Sequence, residues 1–146
     1  MDVKSISKLV QSHPKVFGYS IEDNLKPKLA WFQERFVLDD TSLRAFMQQS
    51  SSILGLNIEM NLEPTIKFYE ECLGLDAART LITKNPRMCS VSLEKRLKPR
   101  LAEAQEAGIP IDTGTIGRMA KCTGLRWSKS MIYQKNKLLK ERLRNR

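Results

Sequence analysis

Pro86-Arg87-Met88-Cys89-Ser90-Val91-Ser92-Leu93-Glu94-Lys95-Arg96-Leu97-Lys98-Pro99-Arg100-Leu101 decides the fold, because the chain writes this phrase three times. An earlier copy runs Pro14-Lys15-Val16-Phe17-Gly18-Tyr19-Ser20-Ile21-Glu22-Asp23-Asn24-Leu25-Lys26-Pro27-Lys28-Leu29. Between them a weaker copy, residues 51–66, keeps Glu59 and Pro64 but begins with Ser51 instead of proline. Pro27, Pro64 and Pro99 are spaced by 37 and 35 residues, and so are Glu22, Glu59 and Glu94. A period of this size, with helical filling between copies, marks an array whose units bury their apolar faces against one another. Arrays of this kind offer a long surface rather than a pocket, which points to a binder rather than an enzyme.

The spacing within each unit predicts two helices and a stiff connector. Leu25, Leu29, Phe32 and Phe36 form one helical stripe with Trp31 beside them. Asp39-Asp40-Thr41-Ser42 supplies caps for a second helix carrying Leu43, Phe46 and Met47. The next unit repeats this with Leu62, Ile66, Tyr69 and Leu73, then Gly74 as a stop, Asp76 as a cap, and Ala77, Leu81 and Ile82 on the inner face. In the third, Leu97, Leu101 and Ala104 lead to Gly108, and Pro110 forbids continuation. Proline is tolerated in a first helical turn, so Asn24 and Asn61 are the preferred caps ahead of Pro27 and Pro64, with Ser20 and Ser92 as rivals one turn earlier. Beyond Gly108, residues 109–117 read as a turn-rich connector. A helix then passes through Ile116, Met119, Ala120 and Thr123. Gly124-Leu125-Arg126-Trp127 reads as another connector, and a last helix from about Ser128 carries Met131, Ile132, Leu138, Leu139 and Leu143.

The expected fold is therefore all-α, with right-angled helical repeats stacked as a short superhelical solenoid. One domain covers 1–146: the end of a preceding repeat at 1–13, repeats at 14–50, 51–85 and 86–123, and a basic cap at 124–146. Residues 6–14 match 78–86 in register, so the chain opens on the closing helix of a repeat. A piece of a longer array, an array that has lost a leader and earlier repeats, and a short natural protein all fit this opening.

The 146 residues carry a net charge of +9 and an ordinary apolar fraction of 41%. Residues 1–83 hold 9 Lys/Arg against 11 Asp/Glu, and residues 84–146 hold 16 against 5. The whole cationic excess thus lies in the last two-fifths of the chain and implies a polyanionic partner, nucleic acid ahead of a membrane surface. Cys72, Cys89 and Cys122 are widely spaced without a C-x-x-C pair, as expected of reduced thiols in helices rather than of a disulfide framework or zinc site. No run approaches the roughly 18 apolar residues of a membrane span.

The phrase at 14–29, together with Leu73-Gly74-Leu75-Asp76 and the linking stretch 78–86, resembles the repeat of mitochondrial transcription termination factors, the mTERF family. The resemblance covers 6–101 well and 102–146 loosely. It implies a left-handed superhelix of helix triplets, binding of nucleic acid along a basic concave path in mitochondria or plastids, and a role in organellar transcription, RNA processing or ribosome biogenesis. The chain departs from the family in its few repeats and in the proline missing from its middle copy.

The candidate nucleic-acid-binding residues are Arg87, Lys95, Arg96, Lys98 and Arg100, followed by Arg118, Lys121, Arg126, Trp127 and Lys129. Cations that neutralise phosphates release counterions and give sequence-independent, salt-sensitive affinity; the competing reading is a solvated cationic face. Trp127, flanked by Arg126 and Lys129, is the aromatic best placed to stack on a base, whereas Trp31 belongs to the core stripe. On this reading, changing Arg96, Lys98 and Arg100 together to glutamate weakens binding and leaves thermal stability nearly intact. Asp112-Thr113-Gly114 imitates the aspartic-protease signature, but no β-rich sequence surrounds it and a helix follows, so a cap is the better reading. His13 lacks nucleophile partners, and no P-loop or dinucleotide fingerprint occurs. No catalytic residue, cofactor or metal is expected. The expected partner is double-stranded DNA or RNA; the rival reading is a protein-interaction or structural subunit of an organellar assembly such as a ribosome.

Overall fold

A computed structural model describes residues 21–146, with side chains from Asp23 onward, and the isolated positions Gln11, Pro14 and Gly18. The expected opening helix, His13, Tyr19 and the rival cap Ser20 lie outside the described residues. All regular structure in the described residues is helical. The α-helices are α1 (Lys26–Phe36), α2 (Asp40–Gln49), α3 (Glu63–Leu73), α4 (Leu75–Lys84), α5 (Lys98–Glu106), α6 (Thr113–Lys121) and α7 (Gly124–Arg144).

The repeated prolines are accommodated differently from the expectation. Proline has no N–H, and its ring meets the carbonyl four residues back in an ordinary helix. Ahead of Pro64 and Pro99 the chain widens by one residue into π-helical turns, Ile58–Leu62 and Leu93–Leu97, which run straight into α3 and α5. Leu62 N–H donates to the Asn57 carbonyl at 3.1 Å, and Leu97 N–H to the Ser92 carbonyl at 3.1 Å, each five residues back. A matching π turn, Ile21–Leu25, precedes α1 and Pro27. The preferred Asn24 and Asn61 caps are accordingly corrected. Asn57 Oδ1 accepts from Met60 N–H at 2.8 Å and Ser92 Oγ from Lys95 N–H at 3.2 Å, so these two helices begin a turn earlier. Asn61 Oδ1 instead accepts from Asn57 N–H at 3.2 Å, closing the same turn. Once the turn is widened, proline no longer needs a place among the first few helical residues.

Equivalent positions of successive units do equivalent work. Phe32, Tyr69 and Ala104 each lie five residues after the repeated proline and are fully buried. Ile53 and Leu54, in the 3-10 turn Ser51–Gly55, correspond to Met88 and Cys89 in the turn Pro86–Ser90, and all four are buried. Ser51 thus replaces the leading proline without loss of the turn. Trp31 meets Phe32 edge-on at 4.9 Å, in line with its core assignment. Tyr69 Oη donates to the Met88 carbonyl at 2.9 Å, tying α3 to the turn that opens the following unit. Burial raises the pKa of that hydroxyl, which therefore stays protonated as the donor. Arg35 holds α1 to α3 through Glu70 at 2.7 Å and Glu63 at 3.2 Å. All three cysteines are free thiols. Burial pushes the Cys89 thiol up to about 12, while Cys72 and Cys122 are half-buried.

Helix ends follow local chemistry. Asp39 Oδ1 accepts from Ser42 N–H at 2.7 Å and caps α2; Asp112 Oδ1 accepts from Thr115 N–H at 2.7 Å and caps α6. Those bonds to backbone N–H hold both carboxyls below their ordinary range. Asp112-Thr113-Gly114 is thus a helix start, and α6 begins at Thr113, inside the expected connector. Gly108, at φ +69°, closes α5, with Ile109 N–H returning to the Ala104 carbonyl at 3.0 Å. Asp76 is not a cap but stands exposed in the first turn of α4. The junction there is Gly74, at φ 85° and ψ 163°, a region essentially restricted to glycine. No atom lies within 4 Å of where a Cβ would stand, so the whole cost of a side chain is backbone strain. Gly74→Ala is expected to lose about 2 kcal/mol of stability, measurable by urea unfolding, with no change in the helical signature of the native state.

The end of the chain differs most from the sequence reading. Gly124-Leu125-Arg126-Trp127 is the first turn of α7, not a connector, because Thr123 ends the preceding segment and caps the helix by accepting from Arg126 N–H at 3.4 Å. Trp127 and Met131 are the buried residues of this helix, with Leu138 packed beside them. Ile132, Leu139 and Leu143 face outward.

Candidate nucleic-acid interface

Three helix C-termini and one helix N-terminus meet around a groove of about 1010 Å³. The end of α2 contributes Gln48 and Gln49, that of α4 contributes Lys84 and its C-cap Asn85, and that of α6 contributes Ala120 and Lys121. Across from them, the 3-10 turn supplies Arg87 and Met88, and the π turn supplies Lys95 and Arg96 behind its cap Ser92. The Tyr69–Met88 hydrogen bond therefore braces the wall of the groove from within the core. Five cations line the groove, namely Lys84, Arg87, Lys95, Arg96 and Lys121, and no carboxylate does.

Some of that charge answers the helices themselves. Each C-terminus carries about half a negative charge and the N-terminus about half a positive one, so the dipoles offset roughly one unit of the five. The surplus, about +4, remains for an anion. The cations are also positioned. Arg87 Nε donates to the Gln49 carbonyl at 3.2 Å, Arg96 Nη1 to the Ala120 carbonyl at 3.2 Å, and Lys121 Nζ to Asn85 Oδ1 at 3.3 Å. An arginine has five N–H donors, so one such bond fixes the guanidinium and leaves most of its fork for a phosphate.

Of the ten residues singled out from the sequence, Arg87, Lys95, Arg96 and Lys121 come together here. The others do not line the groove. Lys98 pairs with Glu94 along the same helix. Arg118 Nη2 donates to Thr115 Oγ1 at 3.1 Å. Arg126 and Lys129 are exposed on α7. Arg100 has an architectural position: its Nη1 donates to the Met119 carbonyl at 2.6 Å and the Cys122 carbonyl at 2.9 Å, closing the end of α6. The same guanidinium lies 5.3 Å from the Trp127 ring centroid. Burial lowers its pKa.

Trp127 is corrected as a stacking platform. Its side chain is only 4% exposed, and its Nε1–H donates to Glu103 Oε2 at 2.7 Å. A ring held on one side by Arg100 and at its edge by Glu103 is core, not a base-reading surface. Arg100→Glu would break its bonds to the Met119 and Cys122 carbonyls, so a charge reversal that includes it is now expected to cost stability as well as binding. Sequence reasoning missed Lys84, together with Gln48, Gln49 and Asn85. The available signal was register: Gln49 and Lys84 each stand two residues before the start of a 3-10 turn, at Ser51 and Pro86.

A family model described as mTERF matches residues 38–128. Comparison of the chain with curated proteins and with solved structures gives no match.

Proposed function

The chain belongs to the mTERF family, and from that premise we propose that it is a non-enzymatic module gripping the sugar–phosphate backbone of duplex DNA or RNA in organellar gene expression, in a mitochondrion or chloroplast. The family is one of non-enzymatic nucleic-acid-binding repeat proteins, with organellar members. The observation that carries the reading is the groove between successive units, lined by five cations and no acid.

The lining favours a backbone over an unstacked base. It contains no aromatic side chain, so the stacking that retains single strands has no platform there. It does contain amides and hydroxyls from Gln48, Gln49, Asn85, Ser90 and Ser92, which suit phosphate oxygens and ribose. Affinity built this way is insensitive to sequence. Specificity would then come from the shape of the duplex or from an accompanying factor.

The test is the salt dependence of binding to a labelled duplex. Five phosphate contacts give a slope of log K against log salt of about −4.5. A slope near zero, or equal affinity for an uncharged-backbone analogue of the same duplex, would overturn the proposal. Titrating DNA duplex, RNA duplex and single strands side by side identifies the form that fits.

A further inference from the structure

Helix α7 has two apolar faces, and among the described residues only one of them is packed against the rest of the chain. Trp127, Met131 and Leu138 pack inward. Leu125, Ile132, Leu139 and Leu143 are 68%, 60%, 57% and 60% exposed. At 100° per residue these four fall within an arc of about 40°, centred about 120° around the helix from the buried face. Leu125, Ile132 and Leu139 recur every seven residues, and Leu143 follows four later, the a/d spacing of a helix that packs along another helix. Asn136 and Lys129 occupy the intervening seam positions, where a polar residue fixes register.

The charge beside this seam says what can cover it. Arg126 and Lys140 lie on one side, Lys135 and Arg142 on the other. Glu141, the single acid of α7, is about 180° away. In a second copy, Arg126, Lys135, Lys140 and Arg142 would face other cations or the uncharged Ser128 and Tyr133, with no carboxylate to pair with any of them. An anionic membrane satisfies the charge but not the shape: interfacial helices present a broad apolar face, whereas this stripe is narrow and interrupted by Asn136.

We propose that the exposed seam of α7 docks an acidic amphipathic helix of a partner protein, with leucine-type residues entering between Leu125, Ile132 and Leu139 and carboxylates meeting Arg126, Lys135, Lys140 and Arg142. This surface is separate from the groove, and its occupation leaves the groove cations accessible. The module would then hold nucleic acid and a protein at once.

A synthetic four-heptad peptide with leucine at a and d and glutamate at e and g is the probe, titrated against the full chain by fluorescence anisotropy. It is expected to bind with a dissociation constant in the tens of micromolar or below, and the same peptide carrying lysine at e and g at least tenfold more weakly. Ile132→Ser with Leu139→Ser should weaken binding at least tenfold without moving the thermal midpoint, since both side chains are exposed. Lys84→Gln, Lys95→Gln and Lys121→Gln together should leave peptide binding unchanged, which separates this surface from the nucleic-acid reading. Failure of the acidic peptide to bind overturns the proposal, as does binding indifferent to the Ile132 and Leu139 changes. Two further results assign the seam to another occupant and overturn it equally: a dimer in sedimentation that Ile132→Ser dissolves, or tighter Ile132-dependent binding to phosphatidylserine vesicles than to the peptide.

Discussion

Replacing Lys84, Lys95 and Lys121 together by glutamine is expected to reduce affinity for a nucleic-acid duplex by two to three orders of magnitude at about 0.1 M salt. The figure follows from counterion release: each lost phosphate contact removes about 0.9 from the salt slope, or roughly eightfold in affinity at that concentration. The slope itself should become shallower by about 3, and this is the more diagnostic readout because a misfolded protein would not change it in a predictable step. Thermal stability should stay within a degree or two, as all three lysines are exposed. Lys98→Gln with Lys129→Gln, outside the groove, is the matched control and should change affinity by severalfold at most. Equal losses per charge removed in the two variants would mean that total charge, not the groove, governs binding.

Trp127→Ala is expected to cost about 3–5 kcal/mol, the range for removing a buried aromatic side chain. The indole is one of two buried anchors of α7, so its loss leaves Met131 and the half-buried Leu138 to hold a 21-residue helix. It also strips the partner from Glu103 and the aromatic face from Arg100. Urea unfolding followed by circular dichroism should therefore show an early, partial loss of helix ahead of the main transition. Arg100→Lys tests the same joint from the other side: it retains charge but not the fork that reaches both the Met119 and Cys122 carbonyls, so an intermediate loss is expected. A Trp127→Ala protein within 1 kcal/mol of the parent would show that α7 is held elsewhere.

These two experiments mark where the sequence was legible and where it was not. Repeated spacing carried the unit boundaries and the core stripe: Phe32, Tyr69 and Ala104 occupy the same buried position because a period of helical turns returns them there. Charge asymmetry pointed to the C-terminal two-fifths, and four residues chosen from it do line the groove. What spacing cannot encode is the neighbour across the interface. From the cations around them Trp127 reads as an exposed stacking ring and Arg100 as a free cation, yet Trp127 meets Glu103 and Arg100 meets the end of α6, each more than fifteen residues away in sequence. Lys84 gives no such signal for the opposite reason, since its place in the groove depends on three helix ends converging. The helix starts were misplaced because a π turn is a response of the backbone to proline, and ordinary capping rules assume that the turn is not widened.

That widened turn has a consequence for how such an array can vary. Asn57 precedes Pro64 and Ser92 precedes Pro99 by the same seven residues, whereas the units themselves differ in length by two. Length drift is thus absorbed outside the segment between cap and proline. Since Ser92, Lys95 and Arg96 stand within that segment, the element that lines the groove keeps its geometry while the rest of the unit is free to lengthen or shorten.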